Sequence, residues 1–239
     1  MKRAVLAALA AVVWLGGCGG SGSLPTGNNP TPSDQELPDT PVKPSPEAPA
    51  SLWPLTTGST WTYRITDPQR GIFDKTVEVL GPKTVPDTNT TAILVRSVQP
   101  HLEEQSWQLE LQNGTVVRLR EEDLKAGAVV RVTTWNPATV KSLAQEQQQG
   151  WSYSSTIREL TREDTGLVDE KERTYVWRVL AVNETVTVPA GTFTNTIKIQ
   201  RARPDKAGSE RTYWLVPGVG KVKEDGERLE ELVSHTIKK

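Results

Sequence analysis

Cysteine is almost missing. The 239 residues hold one, Cys18, so an intramolecular disulfide is excluded and the folded part must rely on its core alone. Histidine is nearly as scarce: His101 and His235 have neither a second histidine nor a cysteine at ligand spacing, so no metal is expected. His101, between Pro100 and Glu103-Glu104, reads as the cap of an exposed turn, and His235 as part of the last strand. No Gly-x-Ser-x-Gly elbow or histidine-centred triad occurs, so no catalytic residues and no cofactor are expected. Gly218-Val219-Gly220-Lys221 looks like a phosphate loop, but Leu215 stands in place of its leading glycine and Val222 in place of its Mg²⁺-binding hydroxyl. It is read as a tight turn. Positive charge is not in excess either. With Lys2 and Arg3 set aside from 28 basic residues, 29 acidic residues leave about −3, which excludes the basic footprint of a nucleic-acid partner.

Long hydrophobic runs are lacking except at the start. Met1-Lys2-Arg3 precedes an uncharged, proline-free stretch from Ala4 to Leu15. Charge followed by a short apolar segment is a secretory signal, and the segment falls short of the ~20 residues a spanning helix needs. Leu15-Gly16-Gly17-Cys18 then resembles the lipobox of bacterial lipoproteins. The resemblance implies removal of residues 1–17, a diacylglycerol thioether on Cys18 and a further acyl chain on its new amine. Several chains, at ~0.8 kcal/mol per buried CH₂, make a lasting membrane anchor. Gly19 in place of aspartate implies the outer membrane if the source is Gram-negative.

Residues 18–50 read as a lipidated tether. Eight prolines and no aromatics follow Cys18 there, and Leu24, Leu37 and Val42 are the only large apolar side chains, too few to bury a core. In polyproline II at ~3.1 Å per residue the spacer reaches roughly 100 Å.

Residues 51–239 are expected to form a mainly β domain: an antiparallel sheet, open-barrel or sandwich-like, with two similar halves as a possibility. Alternation marks Trp61-Thr62-Tyr63-Arg64-Ile65 and the run Trp107, Leu109, Leu111, in which Gln108, Glu110 and Gln112 are expected to face water. Asn113-Gly114 suggests a type I′ turn into Thr115-Val116-Val117-Arg118-Leu119. Other strands are expected near residues 73–80, 91–98, 128–135, 151–158, 172–182, 184–188, 194–201, 210–216, 219–224 and 229–237. Asn136-Pro137 before Val140, Leu143 and Ala144 fits either a capped helix or a loop. The possible halves rest on echoes. Gly58-Ser59-Thr60-Trp61 is matched by Gly150-Trp151-Ser152-Tyr153, Val79-Leu80 by Val179-Leu180, and Trp107 with Val117-Arg118 by Trp214 with Lys221-Val222.

Three signatures are similar to those of a broad group of bacterial secreted proteins and lipoproteins: Trp53-Pro54-Leu55 leading to Gly58 and Trp61-Thr62-Tyr63, Val188-Pro189-Ala190-Gly191-Thr192-Phe193, and Tyr213-Trp214 leading to Pro217-Gly218-Val219-Gly220-Lys221-Val222-Lys223. The likeness implies an antiparallel, barrel-like envelope domain and no chemistry.

Glu121-Glu122-Asp123 and Glu224-Asp225 lack calcium-loop spacing and read as solvated turns. Asn89, Asn113 and Asn183 read as turn residues. Eight tryptophans, seven of them after Cys18, are the one enrichment with functional colour; in strands they are expected to fill the core. The leading expectation is a non-enzymatic envelope lipoprotein that meets the membrane through its anchor and presents a β domain for interaction or assembly. The alternatives are a carrier of a lipid or acyl chain in a curved-sheet cavity, and a glycan binder using surface tryptophans.

Overall fold

The computed structural model describes residues 50–143 and 148–238. Leu15, Gly16, Gly17 and Cys18, with the signal peptide and the tether up to residue 49, lie outside the described residues. Twelve strands are found among the described residues: β1 (Thr60–Asp67), β2 (Gly71–Thr84), β3 (Thr91–Gln99), β4 (Leu102–Glu110), β5 (Val116–Lys125), β6 (Ala128–Ser142), β7 (Ser152–Glu163), β8 (Val168–Val188), β9 (Gly191–Ala202), β10 (Arg211–Val216), β11 (Gly220–Asp225) and β12 (Leu229–Thr236). Each pairs antiparallel with its successor, and β12 returns to β1 with Thr60 opposite Thr236 and Thr66 opposite Leu229. The sheet is therefore a closed barrel, and closure removes the exposed edges that an open sheet would have to protect.

Alternation sets the two faces. Trp61, Tyr63 and Ile65 are buried in β1, while Thr60, Arg64 and Thr66 are exposed. On β7 the outward Ser152, Ser154, Thr156 and Arg158 are all exposed around the buried Ile157, the reverse of a lipid-facing apolar band. One apolar cluster joins Trp61, Ile65, Val79 and Val95 to Val222 and Leu232. A second gathers Trp177, Val179, Ile197, Ile199 and Leu215 beneath Leu52.

Several local expectations change once the strands pair. The Pro137–Leu143 stretch is neither helix nor loop up to Ser142: β6 runs through it, with Val140 opposite Val117 and Ser142 opposite Val116. Ladder bonding to β5 outweighs the local helix-start signal. Residues 172–182 and 184–188 are one strand, β8, in which Asn183 takes φ 57° at an irregularity and not in a turn. The β4–β5 turn is not type I′. Leu111 N bonds Thr115 O, Gly114 N bonds Leu111 O, and Gly114 alone has positive φ, 79°, giving a three-residue loop with a glycine bulge. Asn113 instead accepts a bond from Thr115 N through its Oδ1.

The echo between halves has a geometric counterpart. Gly58 N donates to Val79 O and Val79 N to Ser59 O; likewise Gly150 N donates to Val179 O and Val179 N to Trp151 O. The register of β2 against β3 shifts after Val79, and that of β8 against β9 after Val179. The register also shifts between Trp107 and Gln108 on β4, and between Trp214 and Leu215 on β10.

Candidate functional site

Charge lies inside the barrel. Lys75 on β2 reaches Glu230 on β12 at 2.5 Å, Lys221 on β11 reaches the same carboxylate at 2.7 Å, and Arg228 reaches it at 2.7 Å. Lys221 also bonds Glu224, which Arg211 contacts at 3.2 Å. Tyr63 closes the group from β1: its hydroxyl donates to Lys221 O at 2.8 Å, and its ring lies under both Lys75 and Lys221. Burial pushes the Tyr63 phenol up, further than the nearby Lys221 can pull it down. Burial alone would raise the Glu230 carboxyl; Lys221, Lys75 and Arg228 together hold it well below the usual carboxylate range. Burial works against the charge of Lys221 too, but Glu224 and Glu230 keep its ammonium above the ordinary lysine range. Buried ions cost several kcal/mol each in desolvation, so the group holds only because its partners are matched.

A second group crosses β4, β5 and β6. Glu104, Glu121 and Asp123 bring carboxylate oxygens within 4.8 Å of one another. Cations already lie among them: Arg118 pairs with Glu121 and stands 3.8 Å from Glu104, and Arg131 pairs with Asp123. Arg118 also stacks over Trp135 at 4.4 Å. The acidic residues expected in solvated turns are thus strand residues, with Asp123 and Glu224 buried. A strand places alternate residues on one face, so Glu121 and Asp123 turn inward together while Glu122 pairs with Arg120 on the other side.

Between the two groups lies a cavity of about 120 Å³. Trp53, from the segment before β1, enters it: its indole N–H donates to Gln108 Oε1 at 2.9 Å, and Gln108 Nε2 donates to Ser106 Oγ at 3.0 Å. Gln108, expected to face water, is buried, since Ser106 and Gln108 share the inner face of β4. Trp107, next to it, is buried on the opposite face with Val85, Ala92 and Leu94. Trp214 is half-buried, between Lys198 and Lys223. None of the tryptophans among the described residues is exposed. His101 is exposed in the β3–β4 turn against Phe73, and His235 is exposed on β12 beside Phe193. Gly218 and Val219 form the β10–β11 turn; its Val219 O accepts the Trp61 indole N–H at 2.7 Å, and Gly218 N donates to Ser51 O. Lys75, Lys141 and Glu230 were not singled out from sequence. Their only signal is an ionisable residue at an inward position of a strand.

No family model matches the chain, and no curated protein matches it. Among solved structures, a proposed exported protein of Bacteroides fragilis with a YmcC-like fold superposes with a TM-score of 0.50 at 11% identity, covering 78% of this chain and 99% of that one. The chain shares that fold. A proposed lipoprotein of Parabacteroides distasonis aligns over 78% of this chain and 99% of its own with a TM-score of 0.40 at 12% identity.

Proposed function

We propose that the protein is an envelope lipoprotein, anchored through Cys18, that presents its barrel for interaction or assembly and carries out no reaction. The observation that carries this reading is where apolar surface is exposed. Of the six large apolar residues exposed among the described residues, Ile72, Val129, Leu167 and Val168 lie at the barrel end that holds the β1–β2, β5–β6 and β7–β8 turns. Ala50 and Ser51 enter at the opposite end, against the β10–β11 turn. A tether leaving from one end and an apolar rim at the other suit a domain held off a membrane to meet a partner. The Bacteroides protein with this fold is itself named an exported protein, in keeping with an envelope site.

The interior favours this over the carrier. Ligand pockets of ordinary size are ~300–1,000 Å³, and a cavity of about 120 Å³ edged by Lys75, Lys221, Arg228 and Glu104 does not hold the long acyl chain of a lipid. A photo-crosslinking residue at Val168 should form a discrete adduct in intact cells, whereas one at Thr156 on the polar flank should not. Identical outcomes at the two positions overturn the reading, and an acyl chain extracted from the purified barrel favours the carrier.

A further inference from the structure

We infer that the barrel cavity is a binding site for a small organic carboxylate, held through the ammonium of Lys141. The inference is independent of what docks on the outer rim.

The first ground is an imbalance of partners. Of the four cations lining the cavity, Lys75, Lys221 and Arg228 each pair with Glu230. Lys141 has no carboxylate at ion-pair distance and no hydrogen-bond acceptor among the described residues; its contact is the Trp53 ring, 4.8 Å from Nζ. Burial works against its charge, and so do Arg118, Arg201 and Lys221 nearby, while Glu104 favours it. Glu104 already faces Arg118 at 3.8 Å. A half-buried ammonium with no counter-ion among the described residues is costly, and an anion drawn into the same space removes that cost.

The second ground is that the surroundings are fixed in place. Trp53 is pinned through Gln108 to Ser106, so the ring beneath Lys141 is held by a chain of two hydrogen bonds. Gly220 admits Pro54 beside it: a Cβ there would stand 3.2 Å from Pro54 Cδ. Trp53 and Pro54 are therefore held beside the cavity by side-chain hydrogen bonds and by the room that Gly220 leaves.

Lining and size choose the ligand class. The lining also includes Leu55, Trp61, Val77, Val79 and Val95, which give nothing to a fully hydrated inorganic ion but shelter a short hydrocarbon body. About 120 Å³ is close to the ~150 Å³ of an engineered apolar cavity that takes up benzene. A carboxylate at Lys141 with a body no larger than a benzene ring suits that lining and that volume.

Calorimetric titration of the full-length mature protein tests this with sodium benzoate, sodium butyrate, inorganic phosphate and sodium chloride at matched ionic strength. Saturable one-to-one heat is expected for at least one carboxylate, none for chloride, and at least tenfold weaker binding for phosphate. Lys141→Met should weaken the carboxylate at least tenfold while melting at or above the wild-type temperature without ligand, because it removes a charge that has no counter-ion among the described residues. Val77→Phe, which fills the cavity and leaves every charge in place, should also abolish binding. A cavity that holds only water predicts no saturable heat with either carboxylate, and that result overturns the proposal. So does unchanged binding by Lys141→Met, or, should that variant not fold, by Val77→Phe. Phosphate binding tighter than both carboxylates would overturn the ligand class.

Discussion

Arg118 and Lys221 hold equivalent places in the two halves of the barrel, and each pairs with a glutamate three residues further on, Glu121 and Glu224. Each also stands just before a bulged residue. Trp107 faces Arg120 and Gln108 faces Arg118, leaving Leu119 over; Trp214 faces Lys223 and Leu215 faces Lys221, leaving Val222 over. A bulge bends its strand and re-aims the neighbouring side chain, which here turns a cation into the interior within reach of its glutamate.

Glu230 is the carboxylate on which three cations depend, so Glu230→Gln should destabilise the domain by about 3–5 kcal/mol, the usual cost of stranding buried charge. Urea unfolding measures it. A loss below about 1 kcal/mol means that the network relaxes around glutamine.

The same residue sets an acid limb. Its folded pKa lies below the ordinary 4.5, so its contribution to stability is present above that value and disappears as pH falls through the folded pKa. Wild-type urea midpoints should drop below about pH 4.5, and those of Glu230→Gln should drop less.

Lys141 works in the opposite sense. Burial, with Arg118, Arg201 and Lys221 nearby, outweighs the pull of Glu104 and lowers its folded pKa well below 10.5. A lowered lysine pKa penalises the folded state fully below that folded value, and the penalty fades as pH rises to the unfolded one. Lys141→Met should therefore stabilise most below the folded pKa of the lysine, with the gain shrinking as pH rises and vanishing near pH 10.5. A gain that is constant across this range contradicts the lowered pKa.

Trp107→Ala should cost about 3–5 kcal/mol, since the residue is 5% exposed and truncation leaves a cavity under Val85 and Leu94. Trp214→Ala should cost less, because its ring is half-buried between two lysines. If stability is near wild-type while binding to purified peptidoglycan or lipopolysaccharide is lost, the glycan reading replaces the structural one.

Cys18→Ser should leave the barrel folded and release it from the membrane fraction, because a hydroxyl does not substitute for the thiolate in lipid transfer. Unchanged membrane association refutes the anchor.

Local pattern alone determined the β class, the β4–β5 hairpin and the last strand, expected over 229–237 and found as Leu229–Thr236, because alternation and a glycine with positive φ are properties of neighbouring residues. The match of Gly58 and Val79 to Gly150 and Val179 was legible for the same reason: a repeated local device keeps its residues. Closure was not legible, since whether β12 meets β1 depends on curvature summed over all strands. Nor was the inward face of β4, where Gln108 is buried and Trp107 lies outside: alternation separates two faces but does not say which one the barrel encloses. The ionic interior was hidden most completely. Lys75, Lys221 and Glu230 lie up to 155 positions apart in the chain, and only the packed barrel brings them to one point, where exclusion of water makes their pairing matter.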